Sequence, residues 1–534
     1  MNKIANKQIP TVRDAMYRFL RDKGVKTIFG NPGSTELAMF RDFPNDFQYV
    51  LGLQESVVVG MADGYAQASR NAALVNLHSA VGIGHAMGNI FTAYRNQTPL
   101  IITVGQQARS ILPYDPFLGA SHPEQMPQPY VKWAIEPARG EDVPHAIARA
   151  YHIAMQAPRG PVMVSVPADD WDKPSEWIEN REVSYDRAVA KKDIEAIAQQ
   201  LDQAQRPYFV VGAGVDRDLA VDLVIELAER HHAKVFVAPM SARCSFPETH
   251  PLFGGFLPAM RERIVEKLTG ADLILVLGAP AFTYHVHGEG PHLPPQAELI
   301  QVVDNPDVAA WTPTGKAVVA SLHLALKALL EISMPIARPA PTPKPVVQRA
   351  IASLPMSEHY ALQCLSEARP LDSIVVEEAP GSRSAIHDYL PMQGQESFYT
   401  MASGGLGYSM PASVGIALAR QKAGKTGRVI ALIGDGSSMY SIQALWTAQH
   451  LNLPISFVIL NNQRYAALQD FAPVYGFKPG EHPVGTDLPQ LDFVLLAEGQ
   501  GVKAQRVEEP TLLPEALKET LTETGPCLLE IIIN

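Results

Sequence analysis

The sequence predicts an α/β protein built from three consecutive doubly wound domains with mainly parallel sheets. Two observations predict it. Short apolar runs of strand length alternate with helical patterns along the chain, and two changes of composition divide its 534 residues into three segments of similar size. Such alternation favours parallel strands with helices on both faces. Ligands of these sheets bind beyond the carboxyl ends of the strands, so candidate site residues are expected there.

The changes of composition give the expected domain boundaries. Residues 169–186 are acidic and rich in turn formers, and residues 334–347 contain five prolines. Proline-rich stretches act as stiff spacers between domains. We therefore expect domains at residues 1–182, 183–340 and 341–534.

The apolar runs identify eleven strands. The expected strands cover residues 27–29, 73–77, 100–104, 162–166, 208–211, 234–237, 273–277, 374–376, 429–433, 455–460 and 528–533.

Composition excludes several classes of protein. Hydrophobic residues make up 46% and charged residues 19%, as in ordinary globular chains. The net charge of −11 disfavours nucleic acid as a partner. The three cysteines are far apart and are expected to be buried thiols rather than disulfides or zinc ligands. No run is long enough to span a membrane, and the N-terminus lacks the apolar run of a secretory signal, so a cytoplasmic protein is expected.

A polar motif follows two neighbouring strands of the third segment. Gly434-Asp435-Gly436-Ser437 comes after the run at 429–433, and Asn462 ends the next run, 27 residues beyond Asp435. A strand–helix–strand unit takes about 30 residues, so both polar residues are expected at the same sheet edge. A helix is expected at 440–451, and the serines at 437 and 438 are expected to open a helix whose amides attract phosphate. A carboxylate and an amide oxygen beside a phosphate site suit Mg²⁺.

This spacing resembles the signature of thiamine-diphosphate enzymes. The resemblance implies that Mg²⁺, for which Ca²⁺ can substitute, is bound by the Asp435 and Asn462 side chains and by the main-chain oxygen of Arg464. It also implies cofactor contacts from Gly436, Ser437, Asn462 and Tyr465. The family usually has a small residue in place of Gln463, and Ser or Thr in place of Arg464.

Glu55 is the candidate acid for the other end of the cofactor. Thiamine chemistry needs a carboxylic acid against the pyrimidine nitrogen, and apolar surroundings keep such an acid protonated. Glu55 lies between apolar residues in YVLGLQESVVVGMADGYA. The pattern alone leaves a structural helix-capping acid equally open.

Longer motifs resemble the benzoylformate decarboxylase family over essentially the full length of the chain. They include GNPGSTEL, LQE, ADGYAQASR and NLHSAVG in the first segment, and MASGGLGYSMPA and IGDGSSMYSIQALWTAQ in the third. The resemblance implies that Glu55 activates the cofactor. It also implies that Ser34 binds the substrate carboxylate, that His78 protonates or stabilises the first adduct, and that His285 protonates the later intermediate.

The resemblance also implies a loop beside the cofactor and the walls of a substrate pocket. The carbonyl of Gly404 would accept from the cofactor amine, and Leu406 would hold the cofactor bent. The expected wall residues are Leu118, Pro380, Thr400, Leu468 and Phe471. Thr400 replaces an aromatic residue of the family, Pro380 lies where the family has a Ser/Thr-rich run, and Thr486 lies opposite a leucine. These departures affect the pocket walls that would select a phenyl side chain, and not the groups that transfer protons.

Other functions remain as alternatives. Acetolactate-synthase-like and benzaldehyde-lyase-like enzymes share the expected cofactor, although Ser34, His78 and His285 argue against them. Gly212-Ala213-Gly214 could begin a dinucleotide site, but the third glycine and the acidic residue of that fingerprint are missing. A non-catalytic relative is a further alternative. The adjacent pair His231-His232 is expected at the surface of a helix.

The resemblance therefore implies a thiamine-diphosphate-dependent decarboxylase of an aromatic 2-oxo acid, with possible carboligase activity. Because family members join the Glu55 half and the Asp435 half across a subunit interface, a homodimer at least, and a tetramer by extension, is expected. The other partner is a small 2-oxo acid, and no nucleic acid or membrane is expected.

Overall fold

A computed structural model of the chain describes residues 9–478 and 480–534. Residues 1–8, on which the prediction of no secretory signal partly depends, lie outside the described residues. Three six-stranded sheets follow one another along the chain. The pairings named below are parallel, which confirms the predicted doubly wound fold class.

The first sheet has the strand order β2-β1-β3-β4-β6-β5. Its strands are β1 (Thr27–Gly30), β2 (Gln48–Leu51), β3 (Ala73–Leu77), β4 (Leu100–Gln106), β5 (Ala134–Ile135) and β6 (Val162–Pro167). The helices of this segment are α1 (Val12–Asp22), α2 (Leu37–Phe40), α3 (Glu55–Ser69), α4 (Ser79–Asn96) and α5 (Val143–Met155). Apolar side chains of α1 and α5 pack in one core with β1, β3, β4 and β6, and α3 packs against α4 and β3.

The second sheet has the order β12-β11-β10-β7-β8-β9. Its strands are β7 (Pro207–Val211), β8 (Lys234–Val237), β9 (Phe253–Phe256), β10 (Leu273–Leu277), β11 (Glu298–Val303) and β12 (Lys316–Val319). Its helices are α6 (Lys191–Gln203), α7 (Ala213–Arg217), α8 (Val221–Arg230), α9 (Arg261–Leu268), α10 (Pro306–Ala310) and α11 (Leu322–Ile332). Phe209 and Val211 enter one core with α6, α8 and α11, while Val210 enters another with α9. Successive strand residues point to opposite faces, so helices cover both faces of this sheet.

The third sheet carries the Gly-Asp-Gly motif. Its strands are β13 (Ile374–Glu378), β14 (Phe398–Tyr399), β15 (Val429–Gly434), β16 (Ile455–Asn461), β17 (Lys503–Val507) and β18 (Cys527–Ile532). Strands β13, β15, β16, β18 and β17 lie in that order. The helices are α12 (Glu358–Ala368), α13 (Arg383–Tyr389), α14 (Ser409–Lys422), α15 (Asp435–Ser438), α16 (Ala444–His450), α17 (Ala466–Phe471), α18 (Phe493–Glu498) and α19 (Leu513–Thr522).

The chain forms two compact units. One comprises the residues up to Val183, Val376–Gly381 and Ser403–Asn534, and therefore contains the first sheet and most of the third. The other comprises Ser184–Val375 and Ser382–Ala402, and contains the second sheet. The domain boundaries expected at residues 182 and 340 stay predictions.

The first unit is held together by the close packing of α3 against α14. A Cβ atom on Gly64 would lie 2.2 Å from the carbonyl oxygen of Ala412, and one on Gly415 would lie 1.9 Å from that of Met61. Because only glycine lets two backbones approach this closely, these two positions fix the crossing of the helices.

Three local predictions were wrong. The helix expected at 440–451 covers only Ala444–His450, and the serines expected to open a helix instead end the short α15, which begins at Asp435. His231 is buried rather than exposed, whereas His232 is exposed as expected. Helix α8 ends at Arg230, so His231 lies in the turn after the helix, where Arg338 donates to its carbonyl.

The described part of the chain has no helix long and apolar enough to cross a membrane. All three cysteines are buried free thiols, as predicted.

Candidate active site

Two loops of the first sheet bring Ser34 and His78 into the same region. Strands β1 and β3 are neighbours, with Gly30 opposite Asn76. The chain leaves β1 at Gly30 and forms a short 3-10 turn at Ser34–Glu36, whereas it leaves β3 at Leu77 and begins α4 after His78. Both loops therefore leave the same edge of the sheet, where a ligand of a parallel sheet binds.

A buried carboxylate at this edge holds His78. The Nδ1 atom of His78 lies 3.0 Å from Glu36 Oε2, and the Thr35 hydroxyl donates to Glu36 Oε1 at 2.5 Å. The backbone N–H of Gly33 also donates to Glu36, at 2.7 Å. The Glu36 side chain is 1% exposed and that of His78 is 17% exposed. Since Nδ1 is engaged by Glu36, Nε2 is the ring nitrogen left for chemistry.

The backbone makes room for this cluster with two glycines. A Cβ on Gly33 would lie 2.2 Å from His78 Nδ1, and one on Gly105 would lie 1.7 Å from Glu36 Oε1. Ser34, between Gly33 and Thr35, is exposed. Leu118 lies near His78, because the Leu118 carbonyl accepts a hydrogen bond from the hydroxyl of Ser79, the next residue after His78, at 2.6 Å.

Glu55 is the first residue of α3, and its side chain is 12% exposed. Its two carboxylate oxygens contact polar groups. The Asn31 amide donates to Oε1 at 3.3 Å, and His85 Nδ1 lies 3.1 Å from Oε2. Glu55 therefore has apolar neighbours in sequence but polar partners at the carboxylate itself.

His285 belongs to the other compact unit. It lies on the segment that follows β10, where its backbone N–H donates to the Ala259 carbonyl at 2.8 Å and its side chain is exposed. The structure thus groups Ser34, His78 and Glu55 in one unit and places His285 in the second.

The second half of the candidate site lies at the carboxyl edge of the third sheet. Strands β15 and β16 are adjacent, with Gly434 opposite Leu460, so Asp435 and Asn462 follow neighbouring strand ends, as predicted. Asp435 Oδ1 accepts from the N–H of Gly436 at 2.7 Å. Oδ2 is buried without a hydrogen-bond partner. Burial raises the pKa of Asp435, while the backbone N–H groups of Gly436 and of residues 462–464 lower it.

The loop after β16 closes over this carboxylate. Asn462 Oδ1 accepts from the N–H of Arg464 at 3.2 Å, and Gln463 has a left-handed backbone with φ of +57°. The ring of Tyr465 packs on Gly436, where a Cβ would lie 2.3 Å from Cε1 of the ring. Ser437 is buried in α15 beside Gly436.

A third loop, which contains Gly404 and Gly407, is bound to the end of β13. Gly404 and Gly407 are left-handed, with φ of +73° and +95°. The carboxylate of Glu378, at the end of β13, accepts from the N–H groups of Gly407, Tyr408 and Ser409 at 2.6 to 2.9 Å. Burial raises the pKa of Glu378 to about 7, although these three N–H groups lower it. The loop that carries Gly404 and Leu406 is therefore fixed at its C-terminal end.

The expected wall residues fall into two groups. Pro380 begins a short turn whose Gly381 lies against Ala466 of α17, and α17 also carries the exposed Leu468 and the half-buried Phe471. Thr400 is in the other compact unit and is 2% exposed, with its hydroxyl accepting from Arg383 at 3.2 Å. Thr486 is likewise buried, and its hydroxyl accepts from Gln469. Their roles as pocket walls stay predictions.

Comparisons with known proteins identify the family. Models of the thiamine pyrophosphate enzyme N-terminal TPP binding domain, central domain and C-terminal TPP binding domain match residues 10–129, 194–329 and 381–531. A benzoylformate decarboxylase from Pseudomonas aeruginosa is 42% identical over 98% of this chain and 98% of its own length. The chain belongs to the benzoylformate decarboxylase family of thiamine-diphosphate-dependent enzymes.

Solved structures agree with this family. A benzoylformate decarboxylase from Polynucleobacter necessarius is 38% identical with a TM-score of 0.95, covering 98% of both chains. A thiamine-diphosphate-dependent 4-hydroxybenzoylformate decarboxylase from Rhodococcus jostii is 39% identical with a TM-score of 0.94, covering 98% of this chain and 99% of the other. A probable acetolactate synthase large subunit from Methanocaldococcus jannaschii is only 26% identical, so the alternative of that class is the weaker one. The predicted resemblance and the predicted dependence on thiamine diphosphate are confirmed.

The residues at the third sheet fit the metal ion that accompanies thiamine diphosphate in this family. Asp435 Oδ2 is a buried oxygen that lacks a partner, and an unpaired buried carboxylate oxygen is costly unless a cation or donor meets it. Among the described residues, no group of three His, Cys, Asp or Glu side chains could hold a metal. One carboxylate with amide and carbonyl oxygens is the donor set that Mg²⁺ accepts, because it keeps phosphate and water in its shell.

The glycines that suggested a dinucleotide site have a packing role. A Cβ on Gly212 would lie 2.5 Å from the Ala279 side chain, and one on Gly214 would lie 2.8 Å from Gly278. They let the start of α7 approach the end of β10, in the segment matched by the thiamine pyrophosphate enzyme central domain.

Sequence reasoning missed the buried acids behind the site. Glu36 stands inside the motif GNPGSTEL, but its partner His78 is 42 positions away, so no local pattern joins them. Glu378 ends an apolar strand, where a buried acid is unusual. A charged residue that ends such a strand, next to a glycine-rich motif elsewhere in the chain, is the signal that could have found it.

Proposed function

We propose that this chain is a thiamine-diphosphate- and Mg²⁺-dependent decarboxylase of an aromatic 2-oxo acid, which converts benzoylformate to benzaldehyde and carbon dioxide. The observation that carries the proposal is the pairing of His78 with the buried Glu36 beside the exposed Ser34, in a chain 42% identical to a benzoylformate decarboxylase. A carboxylate-binding hydroxyl next to a proton-exchanging imidazole suits a substrate with adjacent keto and carboxyl groups.

Each polar group has a role toward this substrate. The Ser34 hydroxyl donates to the substrate carboxylate. His78 gives or takes a proton through Nε2 while Glu36 holds Nδ1. His285 delivers the proton that replaces the lost carboxyl group on the carbonyl carbon. Over the whole reaction the bond between the keto and carboxyl carbons breaks, carbon dioxide leaves, and one proton takes its place on the carbonyl carbon.

The remaining residues hold the cofactor. When bound, thiamine diphosphate supplies the carbanion and the electron sink for the reaction. Glu55 would donate to the pyrimidine ring, Gly404 would accept from its amine, and Leu406 would support its bent shape. Gly436, Ser437 and Tyr465 would surround the diphosphate.

Asp435, Asn462 and the main-chain oxygen of Arg464 would bind Mg²⁺, and Ca²⁺ can take its place. The Arg464 ligand is a backbone oxygen, so it does not depend on the side chain at that position. The partnerless Oδ2 of Asp435 supports this assignment.

We further propose a homodimer as the catalytic unit, assembled into a tetramer, in which Glu55 of one chain serves the metal site of another. Exposed apolar side chains adjoin both halves in sequence. Leu53 and Val81 lie near Glu55 and His78, and Met439 and Tyr440 follow the helix that begins at Asp435. Apolar side chains that are exposed on one copy suit a surface that a second copy covers. A cytoplasmic location fits the three free thiols, which a reducing compartment preserves.

The proposal is tested by incubating the purified protein with benzoylformate, thiamine diphosphate and Mg²⁺, with benzaldehyde measured through a coupled dehydrogenase. We expect release that needs both cofactors and a kcat/KM for benzoylformate well above that for pyruvate. If protein that binds thiamine diphosphate releases an aldehyde from neither benzoylformate nor pyruvate, the proposal of an aromatic substrate is contradicted. That result would point to Thr400, Pro380 and Thr486 as the residues that remade the pocket.

Carboligation is the second activity to measure in the same reaction. The acetolactate synthase relatives match 94% to 100% of this chain at 23% to 26% identity, so the chain resembles enzymes named as synthases over almost its full length. We expect any hydroxyketone product to remain minor relative to benzaldehyde, as chromatography of the products can check.

A further inference from the structure

The loop after β16 contains a backbone conformation that its sequence does not favour. Gln463 has φ of +57°, in the left-handed region. For a residue other than glycine this region costs roughly 1–2 kcal/mol. Gln463 lies between Asn462 and Arg464, so its conformation sets the direction of both proposed metal ligands. Something in the surrounding structure must hold it there.

Two backbone groups of Gln463 are fixed by hydrogen bonds. Its N–H donates to Asn461 Oδ1 at 3.0 Å. Its carbonyl accepts from the N–H of Leu488 at 2.7 Å. The left-handed turn therefore depends on where the Asn461 side chain is placed.

The Asn461 side chain is in turn placed by Glu530. Asn461 Nδ2 donates to Glu530 Oε1 at 2.6 Å, and the two residues are 3% and 0% exposed. They stand on the adjacent strands β16 and β18, where Glu530 is opposite Ile459 and Asn461 is opposite Ile532. Alternate strand residues share a face, so the two side chains meet on one face of the sheet.

Arg506 completes the series from the next strand. Its Nε donates to the second oxygen of Glu530 at 2.8 Å, and it is directly opposite Glu530 in the β17–β18 ladder. A buried carboxylate is tolerated only when it is paired and hydrogen-bonded, and here both oxygens have a partner. Rotation of Glu530 away from Asn461 would break the arrangement on both sides.

We propose that Arg506, Glu530 and Asn461 form a brace that holds Gln463 left-handed and thereby aims the Asn462 amide and the Arg464 carbonyl at a metal ion beside Asp435. The inference rests on the proposed function, because it presumes that ion. Glu530 and Asn461 are positioning residues that do not touch the metal. The brace matters more in this chain because Gln463 replaces the small residue usual in the family.

The test measures metal affinity separately from turnover. Apoprotein with saturating thiamine diphosphate is titrated with Mg²⁺ by calorimetry, for the wild type, for Glu530→Gln and for Asp492→Asn. Groups that orient metal ligands typically contribute 10- to 100-fold to metal affinity, so Glu530→Gln should weaken Mg²⁺ binding by about that factor. Its kcat at saturating Mg²⁺ should stay close to the wild-type value.

Asp492→Asn is the matched control. Asp492 Oδ1 lies 3.1 Å from the same Arg506, but Asp492 is a half-exposed residue outside the Arg506–Glu530–Asn461 series. This variant should bind Mg²⁺ as the wild type does. If Glu530→Gln also binds Mg²⁺ as the wild type does, the brace is overturned.

A second variant tests whether the brace acts by holding the left-handed backbone conformation of Gln463. Gln463→Gly removes the cost of the left-handed region, so in the Glu530→Gln background it should restore most of the lost affinity. A double variant that binds Mg²⁺ as weakly as Glu530→Gln would overturn the role assigned to Gln463. If Glu530→Gln does not fold, Arg506→Gln, at a side chain 35% exposed, should still weaken binding by a smaller factor, and unchanged binding would overturn the proposal.

Failure of the proposed function gives a different result. Wild-type protein that takes up no Mg²⁺ in the presence of thiamine diphosphate would overturn both the metal site and the brace. Wild-type binding with an unaffected Glu530→Gln variant would overturn the brace alone.

Discussion

Buried carboxylates fix the functional groups of this site one residue at a time. Glu36 holds His78, Glu378 holds the loop that ends at Gly407, and Glu530 holds Asn461. Taking a carboxylate out of water is costly unless its oxygens are hydrogen-bonded, and each of these three has donors on both oxygens or pairs with a cation. The functional groups are thereby held before any ligand arrives.

Removal of Glu36 should affect turnover rather than cofactor binding. Glu36→Ala leaves His78 Nδ1 and the N–H of Gly33 without their carboxylate. A misplaced general acid–base group typically costs about 10²-fold or more, so we expect kcat for benzoylformate to fall by about that factor. The affinities for thiamine diphosphate and Mg²⁺ should not change. Equal losses of turnover and of cofactor affinity would show instead that Glu36 supports the fold of the whole region.

Site residues that belong to a short sequence motif could be predicted. Residues that act through partners far along the chain were missed. Asp435 and Asn462 follow strands at a spacing that one strand–helix–strand unit requires, so their shared edge could be predicted. Glu36 acts through a residue from another loop, and Glu530 acts through a neighbouring strand far along the chain. The residues next to Glu36 and Glu530 in the sequence do not indicate which side chains these acids contact.

Among the elements, the α3–α14 crossing decides how the first unit is assembled. The helix that begins at Glu55 and the helix that follows the Gly404–Gly407 loop touch through glycines. Contact at this distance leaves no space for side chains, so the crossing cannot adjust to larger residues.

Gly64→Ala should therefore destabilise the protein. Its Cβ would lie 2.2 Å from the Ala412 carbonyl oxygen, whereas a Cβ on Gly88, in α4, would meet nothing within 4 Å. Overpacking costs about 1–3 kcal/mol, and alanine in place of a helical glycine gains up to about 1 kcal/mol. Thermal unfolding should show a lower midpoint for Gly64→Ala and an equal or higher one for Gly88→Ala. A higher midpoint for both would contradict the tight crossing.

His231, which follows the end of α8, should make the stability of the protein depend on pH. Burial, with Arg338 and Arg230, lowers the pKa of His231 to about 4 from an ordinary value of 6.5. Between about pH 6.5 and pH 4 the unfolded chain binds a proton at this histidine that the folded chain does not. The contribution of His231 to stability is therefore complete above about pH 6.5 and declines as the pH falls toward 4. The loss at pH 5 is about 2 kcal/mol.

His231→Leu removes this titration. The drop in thermal midpoint between pH 7 and pH 5 should be smaller than in the wild type, whereas His232→Gln, at the exposed neighbour, should keep the wild-type drop. A His231→Leu protein with the full wild-type drop would assign the pH dependence to other groups.

Strands that appear as continuous apolar runs could be predicted. Helix ends and the burial of single residues, which depend on tertiary contacts, could not. The eleven apolar runs all became strands, because a strand buried between helices needs apolar residues on both faces. The helix at 440–451 starts later than expected, because the first residues after α15 form turns against that short helix. His231 was misjudged because Arg338, which covers it, comes from the proline-rich linker.

At the scale of the whole molecule, three similar sheets carry unequal roles. The first supplies Ser34, Glu55 and His78, the segment between β10 and β11 of the second carries His285, and the third supplies Asp435 and Asn462. The order of the three sheets followed from the alternation of apolar runs. The proposed homodimer was expected from the family resemblance, since the alternation of apolar runs describes a single chain and specifies no partner copy.

The most direct test of the account mixes two inactive variants. Glu55→Gln removes the acid proposed for the cofactor ring, and Asp435→Asn removes the carboxylate proposed for the metal. Each variant alone should fold and should fail to release benzaldehyde from benzoylformate. If one site combines Glu55 of one chain with Asp435 of another, unfolding and refolding an equal mixture should restore about a quarter of wild-type activity, because half of the dimers are mixed and one site in each is intact. No activity in a mixture that demonstrably contains mixed dimers, beside an active wild type, would contradict the shared site.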